Sequence, residues 1–157
     1  MIEPAELMRL AIEKCRQGIA GGQSPFGSAI AMGDRLLAVA HNTVLATLDI
    51  TAHAEVNALR EANRQAGSIH LPGAIVATTC EPCPMCLAAL HWARVGTVYY
   101  GASIETATAA GFNEMQLAAQ DMVRLGKSSV HLVGGVLGDE CQALFTEWLA
   151  RPRHRAY

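Results

Sequence analysis

Two short clusters in the chain carry side chains able to hold a metal and to move protons. Thr51-Ala52-His53-Ala54-Glu55-Val56 sets a histidine two residues before a glutamate, and Thr78-Thr79-Cys80-Glu81-Pro82-Cys83-Pro84-Met85-Cys86 carries a Pro-Cys-x-x-Cys run. His53, Cys83 and Cys86 offer one imidazole and two thiolates, a donor set for one Zn2+ per chain with the fourth position left to solvent. Structural zinc sites are closed by four protein ligands, whereas catalytic ones keep a position for water. Glu55 is then a carboxylate beside the metal rather than on it. Cys80 precedes Cys83 by the spacing at which Cys86 follows it. It ends an apolar run at a strand tip, while Pro82 and Pro84 mark the turn into a helix. Thiolates are favoured at a helix start, so Cys83 and Cys86 are the expected ligands and Cys80 is expected to pack nearby. Each half alone is a weak signal: His-x-Glu is common on solvated helix faces, and Cys-x-x-Cys also occurs in zinc ribbons and redox pairs. Their combination, with a strand between them, carries the assignment.

The elements around these clusters must solve a geometric problem. Two residues apart on a regular helix, His53 and Glu55 would point to nearly opposite sides. Both reach one metal only if the helix begins near His53, and Thr51 is the expected N-cap. The metal would then lie between two helix N-termini, one at His53 and one at Cys83.

Read in order, the chain opens with a helix over 4–19, with Leu7, Leu10, Ala11, Cys15 and Ile19 at helical spacing. Strands are expected over 27–32 and 35–40, joined by a Gly33-Asp34 hairpin turn. A second helix follows over 51–66. The apolar run 73–79 reads as a central strand, 83–94 as a helix, and 97–101 as a strand parallel to 73–79. A polar loop is expected over 102–113, a short helix over 115–125 and a last strand, again parallel, over 129–133. Asp139 is the expected N-cap of a closing helix bearing Cys141, Leu144, Phe145, Trp148 and Leu149. This is a three-layer α/β/α sandwich: a five-stranded mixed sheet with helices on both faces. Asn42, at a strand end near the metal, is placed to bond either a turn or a substrate edge. Trp92, after the zinc helix, is a candidate pocket wall, and His91 a surface residue at a helix C-terminus.

Composition narrows the class. A chain of 157 residues is one domain by size. No apolar run approaches the roughly 20 residues of a membrane span, and the opening residues, with Glu3 and Glu6, do not read as a signal peptide. Five cysteines in a metal-type pattern fit a reducing cytoplasm, with Cys15 and Cys141 on apolar helix faces as core. A net charge of −2, from 12 basic and 14 acidic residues, offers no broad nucleic-acid footprint.

His-x-Glu with Pro-Cys-x-x-Cys is the signature of the zinc nucleobase deaminases, and the chain resembles the cytidine-deaminase-like zinc superfamily. Within it the likeness is nearest to the bacterial guanine deaminases. It is carried by Pro25-Phe26-Gly27, His41-Asn42, the two zinc clusters, Trp92-Ala93-Arg94, Ala110-Gly111-Phe112, an acid at 114 and the terminal Tyr157. Glu114 stands where an aspartate is expected, and Asp49-Ile50 where Asp-Pro is usual. The resemblance implies hydrolytic deamination of a purine base, guanine and water giving xanthine and ammonia, with Glu55 as proton shuttle. It implies that Glu114 pairs with the base N–H groups, that Asn42 and the backbone at Ala54 read the base edge, and that Phe26 is a stacking wall. It also implies a homodimer in which segment 151–157 is exchanged and Tyr157 closes a partner's site. Alternatives left open are a tRNA adenosine deaminase, a deaminase of guanosine, cytosine or an amino-triazine, and a zinc-stabilised binding protein with Cys80 as fourth ligand.

Overall fold

A computed structural model describes all 157 residues, Met1–Tyr157. Helix α1 (Pro4–Ala20) opens with proline in its first turn and buries Leu7, Met8, Ala11, Ile12, Cys15 and Ile19 on one stripe. It ends at Gly21-Gly22, where Gly22 takes φ +83°. Strands β1 (Gly27–Met32) and β2 (Arg35–His41) form the hairpin, turning at Gly33 with φ +64°. Then come α2 (Val44–Thr47), α3 (Ala54–Ala66), β3 (Ile75–Cys80), α4 (Pro84–Trp92), β4 (Thr97–Ala102), α5 (Ile104–Ala109), α6 (Ala119–Gly126), β5 (His131–Val133) and α7 (Gly138–Leu149).

The five strands lie in the order β2-β1-β3-β4-β5. The pairs β1·β2 and β1·β3 are antiparallel, and β3·β4 and β4·β5 are parallel, so the sheet is mixed as the sequence implies. Strand β3 is flanked on both edges, and its side chains from Val76 to Cys80 are all buried. One apolar core packs α1 and α7 against one face of the sheet; a second packs α3 and α4 against the other. Gly27 and Gly101 are required by these contacts: a Cβ at Gly27 would collide with the Ala11 carbonyl, and one at Gly101 with Cys141.

Several boundaries differ from the sequence reading. The polar stretch 102–113 is not all loop, because Ile104 and Ala107 are buried and draw Ile104–Ala109 into a helix. The helix expected from 115 begins only at Ala119, and β5 is shortened to three residues at the sheet edge. Asp139 does not cap α7; it lies inside the first turn, and Leu137, with φ +48°, occupies the cap position. Thr51 does not cap α3 either, because Asp49 Oδ1 captures both its amide and its hydroxyl at 2.8 and 2.6 Å. The cap position belongs to His53.

Candidate active site

Strands β3 and β4 run parallel, and their C-terminal ends, Cys80 and Ala102, lie side by side. Ligands in open α/β sheets bind off such an edge. Two helix starts converge there. His53 is the N-cap residue of α3 (φ −65°, ψ 156°) and Cys83 the N-cap residue of α4 (φ −65°, ψ 165°). Neither side chain caps its own helix. Each reaches across the helix end instead, and Cys86, buried in the first turn of α4, completes the group. Extended backbone at residue 53 followed by helix at 54 also resolves the His53/Glu55 problem, since the two residues are not on one regular helix.

The donor geometry fits zinc. Zn–S of about 2.3 Å and Zn–N of about 2.0 Å at tetrahedral angles require an S···N separation of about 3.5 Å. His53 Nδ1 lies 3.6 Å from Cys83 Sγ and 3.4 Å from Cys86 Sγ. All three donor atoms fall within 4.8 Å of one another. Cys80 does not join them: its thiol turns to the Ser103 carbonyl at 3.5 Å. The cluster therefore offers three protein ligands, the pattern of a catalytic rather than a structural centre. The thiols are already polarised. Hydrogen bonding from Cys86 and then from His53 depresses Cys83, while the same Cys83 contact, then burial, pushes Cys86 up; a metal would hold both as thiolates.

Glu55 is 6% exposed. Thr78 Oγ1 donates to its Oε1 at 3.1 Å, and Oε2 lies 3.5 Å from Cys86 Sγ. Burial, and next the charge on Cys83, raise its pKa. Glu114 lines the same recess, and burial followed by Cys83 pushes its carboxyl up to about 7. Asn42 is fully buried; its Oδ1 accepts from the Val44 amide at 3.0 Å and its Nδ2 donates to Tyr157 Oη at 2.6 Å. The amide of Ala54, first residue of α3, has no intrahelical acceptor. Phe26 lines the recess, its ring edge-on to Phe112 at 5.0 Å and to Phe145 at 5.7 Å.

The recess opens into a cavity of about 310 Å³ bounded by His53, Cys83, Phe112, Glu114, Met115 and Tyr157. Tyr157 folds over its own chain's site: its ring sits 5.7 Å from His53 and 5.3 Å from Phe112, and its carbonyl accepts from the Asn113 amide at 2.9 Å. Trp92 is the exception among the predicted residues. It is 77% exposed and borders neither recess nor cavity. It lies at the end of α4 opposite the ligands, six residues past Cys86 and roughly 9 Å farther along the axis. His91 is exposed and bonds Ser128 at 2.8 Å, as a surface residue should.

Other site residues gave little signal in the sequence. Thr78, which holds Glu55, looks like any strand residue. Asn57 fastens the loop before α3 by donating to the carbonyls of His41 (3.0 Å) and Ala52 (3.3 Å) and to Thr43 Oγ1 (2.9 Å). Phe112, Asn113 and Met115 reach the cavity only through the path of the chain.

The model of the cytidine and deoxycytidylate deaminase zinc-binding region matches residues 1–102. A guanine deaminase of Bacillus subtilis is 44% identical over 105 residues, 67% of this chain and 65% of that protein. A tRNA-specific adenosine deaminase of Agrobacterium fabrum is 37% identical over 102 residues, 65% of this chain and 67% of that protein. The structure of a guanine deaminase from Nitrosomonas europaea superposes with a TM-score of 0.87 at 28% identity, covering 96% of this chain and 87% of that one.

Proposed function

Because this chain belongs to the cytidine and deoxycytidylate deaminase zinc-binding family, we propose that it hydrolyses the amino group of a free purine base, guanine giving xanthine and ammonia. The observation that carries this reading is the buried Glu55 carboxyl beside a three-ligand His53–Cys83–Cys86 set. When bound, zinc supplies a Lewis acid that brings the pKa of water from about 15.7 to near 7. Glu55 takes a proton from the attacking water and passes it to a ring nitrogen. The water oxygen bonds the amino-bearing carbon, Glu55 carries the remaining proton of that oxygen to the amino group, and the carbon–nitrogen bond breaks to release ammonia and leave a carbonyl. Its raised pKa suits a group that must both accept and release protons. Asn42 Nδ2 and the Ala54 amide donate to the base edge, Phe26 bounds the ring face, and Glu114 accepts from the base N–H groups. The Bacillus and Nitrosomonas guanine deaminases support guanine as substrate.

Substrate places in the site also follow from Tyr157. Its hydroxyl occupies the Asn42 donor when the site is closed on itself, and an acceptor atom of the base takes that place on binding, leaving the tyrosine ring as a lid. We assign the same lid to a homodimer in which the tail after α7 is exchanged, because exchange preserves the contacts of the closed chain. The chain is a single domain over 1–157. Its five free cysteines suit a reducing cytoplasm, and no helix is long and apolar enough to cross a membrane.

A second reading, deamination of adenosine in tRNA, is favoured by the Agrobacterium relative. The excess of acidic over basic residues speaks against an RNA-binding face. Ammonia release measured across guanine, guanosine, cytosine, amino-triazines and a tRNA anticodon stem-loop decides between them. Turnover of guanine above the rest is the expected result. Turnover confined to the stem-loop, falling steeply with salt, overturns it.

A further inference from the structure

Glu81 stands between the end of β3 and the ligand Cys83, half-buried at the rim of the recess. Its amide donates to Ala102 at 2.7 Å, which fixes it to the end of β4. Its two carboxylate oxygens go to different helices. Oε2 accepts from the amide of Ile104 at 3.0 Å and Oε1 from the amide of Ala119 at 2.8 Å. Ile104 and Ala119 are the first residues of α5 and α6, and neither helix has a side-chain cap of its own, since Ser103 makes no such bond and Ala118 has no group to make one. First-turn amides need an acceptor from outside the helix, and here one side chain supplies both.

The two bonds mark the ends of one segment. Between them, residues 104–119 cross the C-terminal edge of the sheet, from the face that carries α7 to the face that carries α4. That crossing brings Phe112, Glu114 and Met115 to the cavity, and the Asn113 amide holds the Tyr157 carbonyl at 2.9 Å. Inside the segment the bonds are local, such as Phe112 to Ala107 and Gln116 to Thr108. They shape the crossing without tying it to the strands.

We propose that Glu81 is a positioning residue, a clamp that sets Glu114 and the Tyr157 contact relative to the metal ligands. It acts through the segment 104–119 and touches no reacting atom. Carboxylate geometry is needed because both partners are donors: glutamine presents an NH2 group to one of them and releases that end. The assignment of kcat effects rests on the deaminase reading; the clamp itself does not.

The test uses the zinc-loaded full chain with Glu81→Gln and, as a second variant, Glu81→Ala. Zinc content is expected to equal that of the parent, while amide hydrogen exchange across 104–119 accelerates on the order of tenfold. The kcat for guanine is expected to fall about 10²-fold, the scale of a misplaced catalytic group. In a Glu114→Ala background the same Glu81→Gln change should lower residual turnover by clearly less than in the parent, since the part that acts through Glu114 is already lost and only the part that acts through the Tyr157 contact remains. Unchanged exchange across 104–119, loss of zinc in step with activity, or an undiminished effect in the Glu114→Ala background each overturns the clamp. A parent chain inert toward guanine would overturn the functional reading instead, and the exchange and zinc measurements would still decide the clamp.

Discussion

Burial does two things to Glu55. It raises the energy of the carboxylate, so that a proton is held more readily, and it would keep bulk water out of the proton transfer proposed for it. Glu55→Gln keeps the size and the Thr78 contact and removes only the proton traffic. Turnover should fall by ~10²–10⁴-fold with zinc content unchanged, as read by ammonia release and metal analysis of the same sample. Glu114 lends itself to a different measurement. Its folded pKa of about 7 lies above the ordinary glutamate range, so the folded state favours the protonated form. Stability from this group is fully present below pH 4.5 and is lost as pH rises through about 7. In the zinc-free chain, denaturation midpoints at pH 5 and pH 8 should therefore converge when Glu114 is replaced by glutamine. A pH dependence identical to that of the parent would assign the effect to another group.

At the scale of elements, the centre is made by two helices that begin with a metal ligand in the cap position. The backbone of His53 and Cys83 is extended, so each side chain leans over its helix end, and the usual Ser, Thr, Asp or Asn cap is given up at both. The loop before α3 must be held by other means, and Asn57 does so with its three acceptors. Asn57→Ala should lower unfolding stability by about 1–3 kcal/mol and weaken zinc retention during dialysis against a chelator. Stability loss without any change in zinc retention would mean that the loop keeps its place unaided. The helix pattern that gives α1, α3 and α7 their buried stripes was legible in the chain, because apolar spacing reports a face directly. The caps were not, because Thr51 and Asp139 look like caps in isolation and only their neighbours decide otherwise: Asp49 takes the first, and the left-handed Leu137 displaces the second. Trp92 looked like a pocket wall for the same reason. Nearness in sequence to the zinc helix does not reveal which end of the helix faces the site.

The fold brings Tyr157 back against the metal-ligand group. Tyr157 closes over His53 and meets Asn42 across 115 positions of sequence. Deleting Ala156 and Tyr157 should cut turnover much more than it lowers the melting temperature, since both residues lie only half-buried at the rim. Equal activity in the truncated chain would remove the lid. Exchange between copies has its own signature. Mixing the truncated chain with the Glu55→Gln chain should restore activity if the tail is given in trans, because the truncated copy keeps Glu55 and borrows Tyr157. If each tail serves its own chain, the mixture stays as inactive as its parts.

The chain by itself pointed to the His53, Cys83 and Cys86 group that could hold a metal, to Glu55 beside it, to the α/β/α layering and to the mixed sheet. Those follow from residue chemistry at short spacing and from periodicity, which are local properties. Only the tertiary structure decided where each helix begins, that Cys80 turns to Ser103 while Trp92 faces solvent, and that Phe112, Glu114 and Tyr157 meet the zinc cluster. Those are fixed by contacts between segments far apart in sequence, where each residue's role depends on what the rest of the fold sets against it.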